Sequence, residues 1–121
     1  KVKPINLSPI TKTSTDIDRT ITSASTFTFT HGLGKVPTIL QLYLVCQTGE
    51  GNYTAGDVIQ IDTQIDPNNT VSRGISLIVT STTIVARYGS TGNVFVGVNA
   101  TTGAVLALTN ANWKLRITAF A

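Results

Sequence analysis

The run TFTFT at residues 26–30 alternates hydroxyl and aromatic side chains with a period of two, which puts Phe27 and Phe29 on one face of a strand. Short apolar runs closed by Gly, Pro, Asn or Asp recur from there to the end of the chain, and no segment carries a convincing helical period. TILQLYLVC, residues 38–46, predicts a buried strand. HGLGKVP, residues 31–37, predicts the turn that delivers it, because Gly32 and Gly34 tolerate positive φ and Pro37 fits the start of a strand but not its hydrogen-bonded middle. Gln41 and Tyr43 interrupt one face of this strand, so that face is expected to be partly covered or to meet another subunit. The glycine-rich loop GEGNYTAGD (49–57) leads into the alternating VIQID (58–62), and DPNN (66–69) is a strong turn signal. RGISLIVTS and TTIVARYGS read as two strands with Ser81 near the bend, VFVGVN and TTGAVLALT add two more, and NANWKLRITAFA puts Trp113, Leu115, Ile117 and Ala119 on one face. The expectation is an all-β domain over residues 26–121, an antiparallel two-sheet β-sandwich of about eight short strands. Residues 1–25, with Pro4, Pro9 and little periodicity, read as an extended linking segment that could lie along a neighbour.

A chain of 121 residues fits one domain with a modest core, since roughly two-thirds of the unfolded surface is buried at this size. Only 12% of the residues are charged, about half the usual share, so threonine and serine must supply most of the polar surface. β-Branched Thr, Val and Ile fit a pleated surface and lose rotamer freedom in a helix. The net charge of +3 raises a nucleic-acid role, but Lys1, Lys3, Lys12, Arg19, Lys35, Arg73, Arg87, Lys114 and Arg116 form no cluster in sequence. Phosphate-backbone binding needs several cations on one face, so no nucleic-acid partner is expected.

Catalytic signals are weak. The single cysteine, Cys46, excludes an intrachain disulfide and a cysteine-rich zinc site, and reads as a core thiol. His31, the only histidine, sits at the far end of the same run, too distant along a strand to activate it. No Gly-x-Ser-x-Gly elbow is present. Asp57 with Asp62, or Asp62 with Asp66, could form a glycosidase-like carboxylate pair, but Asp57 begins a strand and Asp66 opens a turn. No enzyme activity, metal or cofactor is expected. The sequons at Asn6, Asn52, Asn68 and Asn99 are matches that a chain rich in Thr and Asn produces by chance. No apolar run reaches about 18 residues, so no membrane insertion is expected. The absence of methionine favours a fragment or a processed chain.

The succession HGLGKVPTILQLYLVCQT, GNYTAGDVI, ISLIVTSTTIVARYG and LTNANWKLRITAFA resembles a domain of tailed-bacteriophage virion proteins, the distal part of tail fibres and related receptor-binding proteins. The resemblance covers roughly residues 26–121 and rests on the His-Gly-x-Gly turn with proline, the Cys-ending strand, the loop Gly51-Asn52-Tyr53-Thr54-Ala55-Gly56-Asp57 and the Trp-Lys strand. It implies a homotrimer in the virion, in contact with other virion proteins, that attaches to a bacterial surface glycan or protein. Two alternatives remain open: a free-standing lectin-like carbohydrate-binding module, and a capsid-associated decoration or fibre protein.

If the chain binds sugar, its low charge predicts uncharged hydrogen bonding and an aromatic platform, with Tyr53, Tyr88 and Trp113 as candidates and Asn52 and Asp57 beside Tyr53 in the loop. His31 is the candidate for a position near a trimer axis, where symmetry would gather ligands that one chain lacks. Its other reading is turn packing through hydrogen bonds to backbone.

Overall fold

The computed structural model describes residues 9–121, which form an almost entirely β structure. The strands are β1 (Thr13–Thr15), β2 (Arg19–Thr20), β3 (Thr26–Thr30), β4 (Ile39–Cys46), β5 (Val58–Ile61), β6 (Ile75–Val79), β7 (Thr83–Tyr88), β8 (Val96–Val98), β9 (Val105–Ala107) and β10 (Trp113–Phe120). Among the described residues the only helical turn is a 3-10 turn at Asn110–Asn112, just before β10. All strand pairs are antiparallel, as the alternating runs predict. Eight of the strands lie in residues 26–121.

One sheet has the order β1-β10-β4-β5, with β2 also pairing with β10. The other has the order β3-β7-β6, and β8 and β9 form a separate hairpin. The Trp-Lys strand and the Cys-ending strand, quoted above as separate motifs, are neighbours along their whole length, from Trp113 opposite Cys46 to Phe120 opposite Ile39. Alternation decides which side chains turn inward. Trp113, Leu115, Ile117 and Ala119 of β10 and Leu42, Leu44 and Cys46 of β4 are buried, while Lys114, Arg116 and Thr118 stand on the outer face beside Gln41 and Tyr43. The second sheet contributes Phe29, Ile75, Ile84, Ala86 and Tyr88 to the same core, which Phe95 and Leu108 complete. Each such large apolar side chain adds about 1.5–3 kcal/mol on burial, so this shared interior holds the two sheets together.

The turn ahead of β4 forms as its glycines predict. Gly32 and Gly34 adopt φ of 67° and 78°, and the N–H of Thr38 donates to Phe120 O at 2.8 Å as the chain enters the strand. The bend between β6 and β7 falls at the expected place, with Ile75 opposite Tyr88 and Val79 opposite Ile84.

The boundary expected at residue 25 is corrected for residues 11–25, which belong to the β-domain. The N–H groups of Thr11 and Lys12 donate to Ala121 O, Asp16 N–H donates to Ile117 O, and Ile21 is a core residue. Two ion pairs fix the segment. Arg19 grips Asp16 through Nε–Oδ2 at 2.7 Å and its terminal nitrogen at 2.8 Å, and Arg116 of β10 holds Asp18 at 2.8 and 3.0 Å. The pairing escapes a local reading because TSTDIDRT is polar on both faces and its partner strand is about a hundred residues away. The rest of the linking segment, residues 1–8, lies outside the described residues.

Candidate functional site

The loop after β4 meets the β8–β9 hairpin, and three contacts join them. Tyr53 donates its hydroxyl to Val98 O at 2.7 Å, Asn52 donates through Nδ2 to Asn99 Oδ1 at 3.1 Å, and Ala100 N–H donates to Gly51 O at 2.9 Å. Asn99 Oδ1 also accepts the N–H groups of Thr101 and Thr102, closing the hairpin turn. Glu50 ties the same loop to the segment that follows β9. Its carboxylate accepts the Thr109 N–H at 2.8 Å, the Thr109 hydroxyl at 2.6 Å and the Trp113 Nε1–H at 3.0 Å. Burial is the largest single influence on Glu50 and pushes its pKa upward, but the hydrogen bonds, led by those from Thr109, outweigh it and hold the carboxyl below its ordinary value.

Beside this junction a cleft of about 450 Å³ opens between β5 and the hairpin. Tyr53 is part of its lining, Gln60, Asp62 and Gln64 supply polar groups, and the exposed Val98 and Val105 form an apolar wall. Gln64 fixes the hairpin edge: its Nε2 donates to Val96 O and its Oε1 accepts from Val96 N, both at 2.8 Å, so one side-chain amide replaces a missing strand partner. An apolar wall with a few polar groups, the Asp62 carboxylate among them, suits a hydroxyl-bearing ligand.

The structure brings only part of the predicted set together. Tyr53 and Asn52 sit at the junction, and Tyr53 lines the cleft. Asp57 closes its own loop by accepting the Thr54 N–H at 2.8 Å and is not among the cleft residues. Trp113 and Tyr88 are each 2% exposed and so offer no open aromatic platform, although Tyr88 contributes to the lining of a separate cleft beside β6 and β7. Trp113 packs edge-on to Tyr53 with centroids 5.3 Å apart, and Tyr88 packs against Phe27 and Phe95 in the core. Both lie at inward positions of alternating strands, a signal the sequence already carried. Burial pushes the Tyr88 hydroxyl well above its ordinary value, and Arg19 only partly offsets this.

His31 is likewise turned to structural use. It is buried, its Nδ1 accepts the Leu33 N–H at 3.1 Å, and its Nε2 lies 2.9 Å from Thr80 O, so Nε2 carries the proton. With both nitrogens engaged inside one chain, the trimer-axis role is corrected to turn packing. Burial also raises the Cys46 thiol above its ordinary value, with Asp57 and Glu50 adding to the effect, which makes it a core thiol. Among the described residues no three His, Cys, Asp or Glu side chains group closely enough to hold a metal ion, and no helix is long and apolar enough to cross a membrane.

Sequence reasoning missed Glu50 and Gln64. A lone acid between two glycines reads as a solvated loop residue, and nothing local marks Gln64 as a backbone surrogate. Comparison of the chain with protein-family models, curated proteins and solved structures finds no match.

Proposed function

We propose that this chain is a structural and adhesive module of a tailed-phage virion, a tail-fibre or receptor-binding tip domain that works as a homotrimer and attaches to a bacterial surface glycan or protein. The observation that carries the reading is the junction itself. The loop on which the phage resemblance rests is pinned at Asn52 and Tyr53 to a second loop, beside a cleft with an exposed apolar wall. Attachment proteins keep a fixed scaffold and vary such loops. Exposed apolar side chains away from the cleft, among them Val36, Ile39 and Ile78, support coverage by further copies. The role is binding without catalysis, so incubation with host polysaccharide leaves its chain length unchanged.

A second reading, a free-standing lectin-like module, draws support from the incorporation of residues 13–20 into the sheet, which makes the domain self-contained from that point on. Labelled protein applied to a panel of bacterial cells tests the first reading. Saturable binding to particular strains, lost in Tyr53→Ala, is the expected result. Binding to soluble glycans alone, with no strain bound, would favour the lectin.

A further inference from the structure

The arginines that looked scattered in sequence are of two kinds in the fold. Arg19 and Arg116 are each paired with an aspartate. Arg73 and Arg87 are paired with none among the described residues, and both line one cleft of about 340 Å³ beside the β6–β7 sheet. Ser72, Ser76 and Ser90 add hydroxyl groups to its lining, and among the described residues no acidic one lines it.

The cleft is built on rigid backbone. Gly89 N–H donates to Gly74 O at 2.8 Å, Gly74 N–H to Val94 O at 2.9 Å and Thr91 N–H to Ser72 O at 2.9 Å. A Cβ on Gly89 would lie 2.3 Å from Ser72 O, and one on Gly74 2.3 Å from Thr63 O, so the chains touch with no side chain between them. Each arginine is anchored to this floor, Arg73 as the neighbour of Gly74 and Arg87 through its register opposite Ser76 and a 2.8 Å bond to Ala24 O. The Nε of Arg73 is buried with no acceptor among the described residues. A buried donor of a charged group is costly to leave unpaired. Asp62 and Asp66 border the neighbouring cleft that Arg73 also touches, but neither forms an ion pair with it. The Asp66 carboxylate is filled by Asn68, Thr70 and Val71, and Asp62 accepts the Gln64 N–H.

We propose that the Arg73–Arg87 cleft is an oxyanion-binding site, distinct from the Tyr53 cleft, that takes a carboxylate or phosphate group carried on a sugar-sized molecule. Planar guanidinium groups match both anions with paired hydrogen bonds, the serine hydroxyls suit the hydroxyls of the carrier, and the volume falls at the lower end of ligand pockets. The inference does not depend on the virion reading.

Backbone amide NMR of the whole chain tests it, with sodium glucuronate, glucose 6-phosphate and glucose as probes at low salt. Glucuronate or the phosphate ester should shift the amides of Gly74, Gly89 and Ser90 saturably, and the two acids tell which anion is preferred; glucose should not shift them. Arg73→Gln and Arg87→Gln should each weaken binding about tenfold or more, the scale of losing a charge-assisted hydrogen bond, and Lys35→Gln should leave it unchanged. Should Arg73→Gln fail to fold, Arg87→Gln carries the test, since among the described residues that side chain bonds to Ala24 O alone. No saturable shift at these amides with either acid would overturn the proposal. So would wild-type binding by the folded Gln variants, or an equal loss in Lys35→Gln.

Discussion

Trp113 donates its indole N–H to Glu50 at 3.0 Å, tying the first residue of β10 to the loop that follows β4. The same carboxylate satisfies Thr109 twice, so one acidic side chain closes the end of the domain from which the candidate loops project. Glu50→Ala removes the acceptor from a buried indole and a backbone N–H. Urea denaturation should show a loss of about 1–3 kcal/mol, with a smaller loss for Glu50→Gln, which keeps one acceptor oxygen.

The pH dependence follows from the same contacts. The Glu50 carboxyl is held below its ordinary value of 4.5 in the folded chain. Its contribution is therefore complete above that value and disappears as pH falls through the lower, folded value. Thermal melts between pH 7 and pH 3 should show a steeper acid-side fall for the native chain than for Glu50→Gln. Asp66, lowered to about 2 chiefly by the Thr70 hydroxyl, keeps its turn intact over this range, so the difference reports Glu50.

His31→Phe keeps an aromatic ring in the turn but leaves the Leu33 N–H and Thr80 O without partners. Denaturation should show a loss of about 1–3 kcal/mol. The variant should keep the native oligomeric state, because His31 acts within one chain. A change in assembly would return the residue to an intersubunit role.

Tyr53→Phe isolates the tether to Val98 from the packing on Trp113. Global stability should fall by about 0.5–1.5 kcal/mol, the worth of one hydrogen bond, and hydrogen exchange should quicken in β8 and β9 while β4 and β10 stay protected. Tyr53→Ala removes the ring as well and should cost more.

The glycines separate by what surrounds them. Gly89→Ala drives a Cβ into Ser72 O, whereas a Cβ on Gly92 meets nothing within 4 Å. The first variant should be strongly destabilised, by about 3 kcal/mol or more through displaced backbone, and the second should stay within about 1 kcal/mol of the native chain.

What could be read from sequence was whatever alternation or turn chemistry writes locally. TFTFT, the HGLGKVP turn, the bend at Ser81 and the inward face of WKLRITAFA all appear where expected, because period two and left-handed glycine are properties of neighbouring residues. The pairing of β1 and β2 with β10 was hidden, since Asp16 and Asp18 look like surface acids until Arg19 and Arg116 are placed beside them. The same limit applies to the site. Tyr53 and Asn52 were legible as loop residues, but their partners Val98 and Asn99 lie some 45 residues on, and the union of Arg73 with Arg87 comes from the strand register and from backbone contact at Gly74 and Gly89.

Light scattering coupled to size exclusion at moderate salt tests the proposed trimeric attachment module at its first requirement, the number of copies. A trimer gives about three times the chain mass of 12.8 kDa, stable to dilution through the range where the peak remains measurable. A monomer of 12.8 kDa at every concentration would contradict the trimer and the fibre-tip geometry built on it.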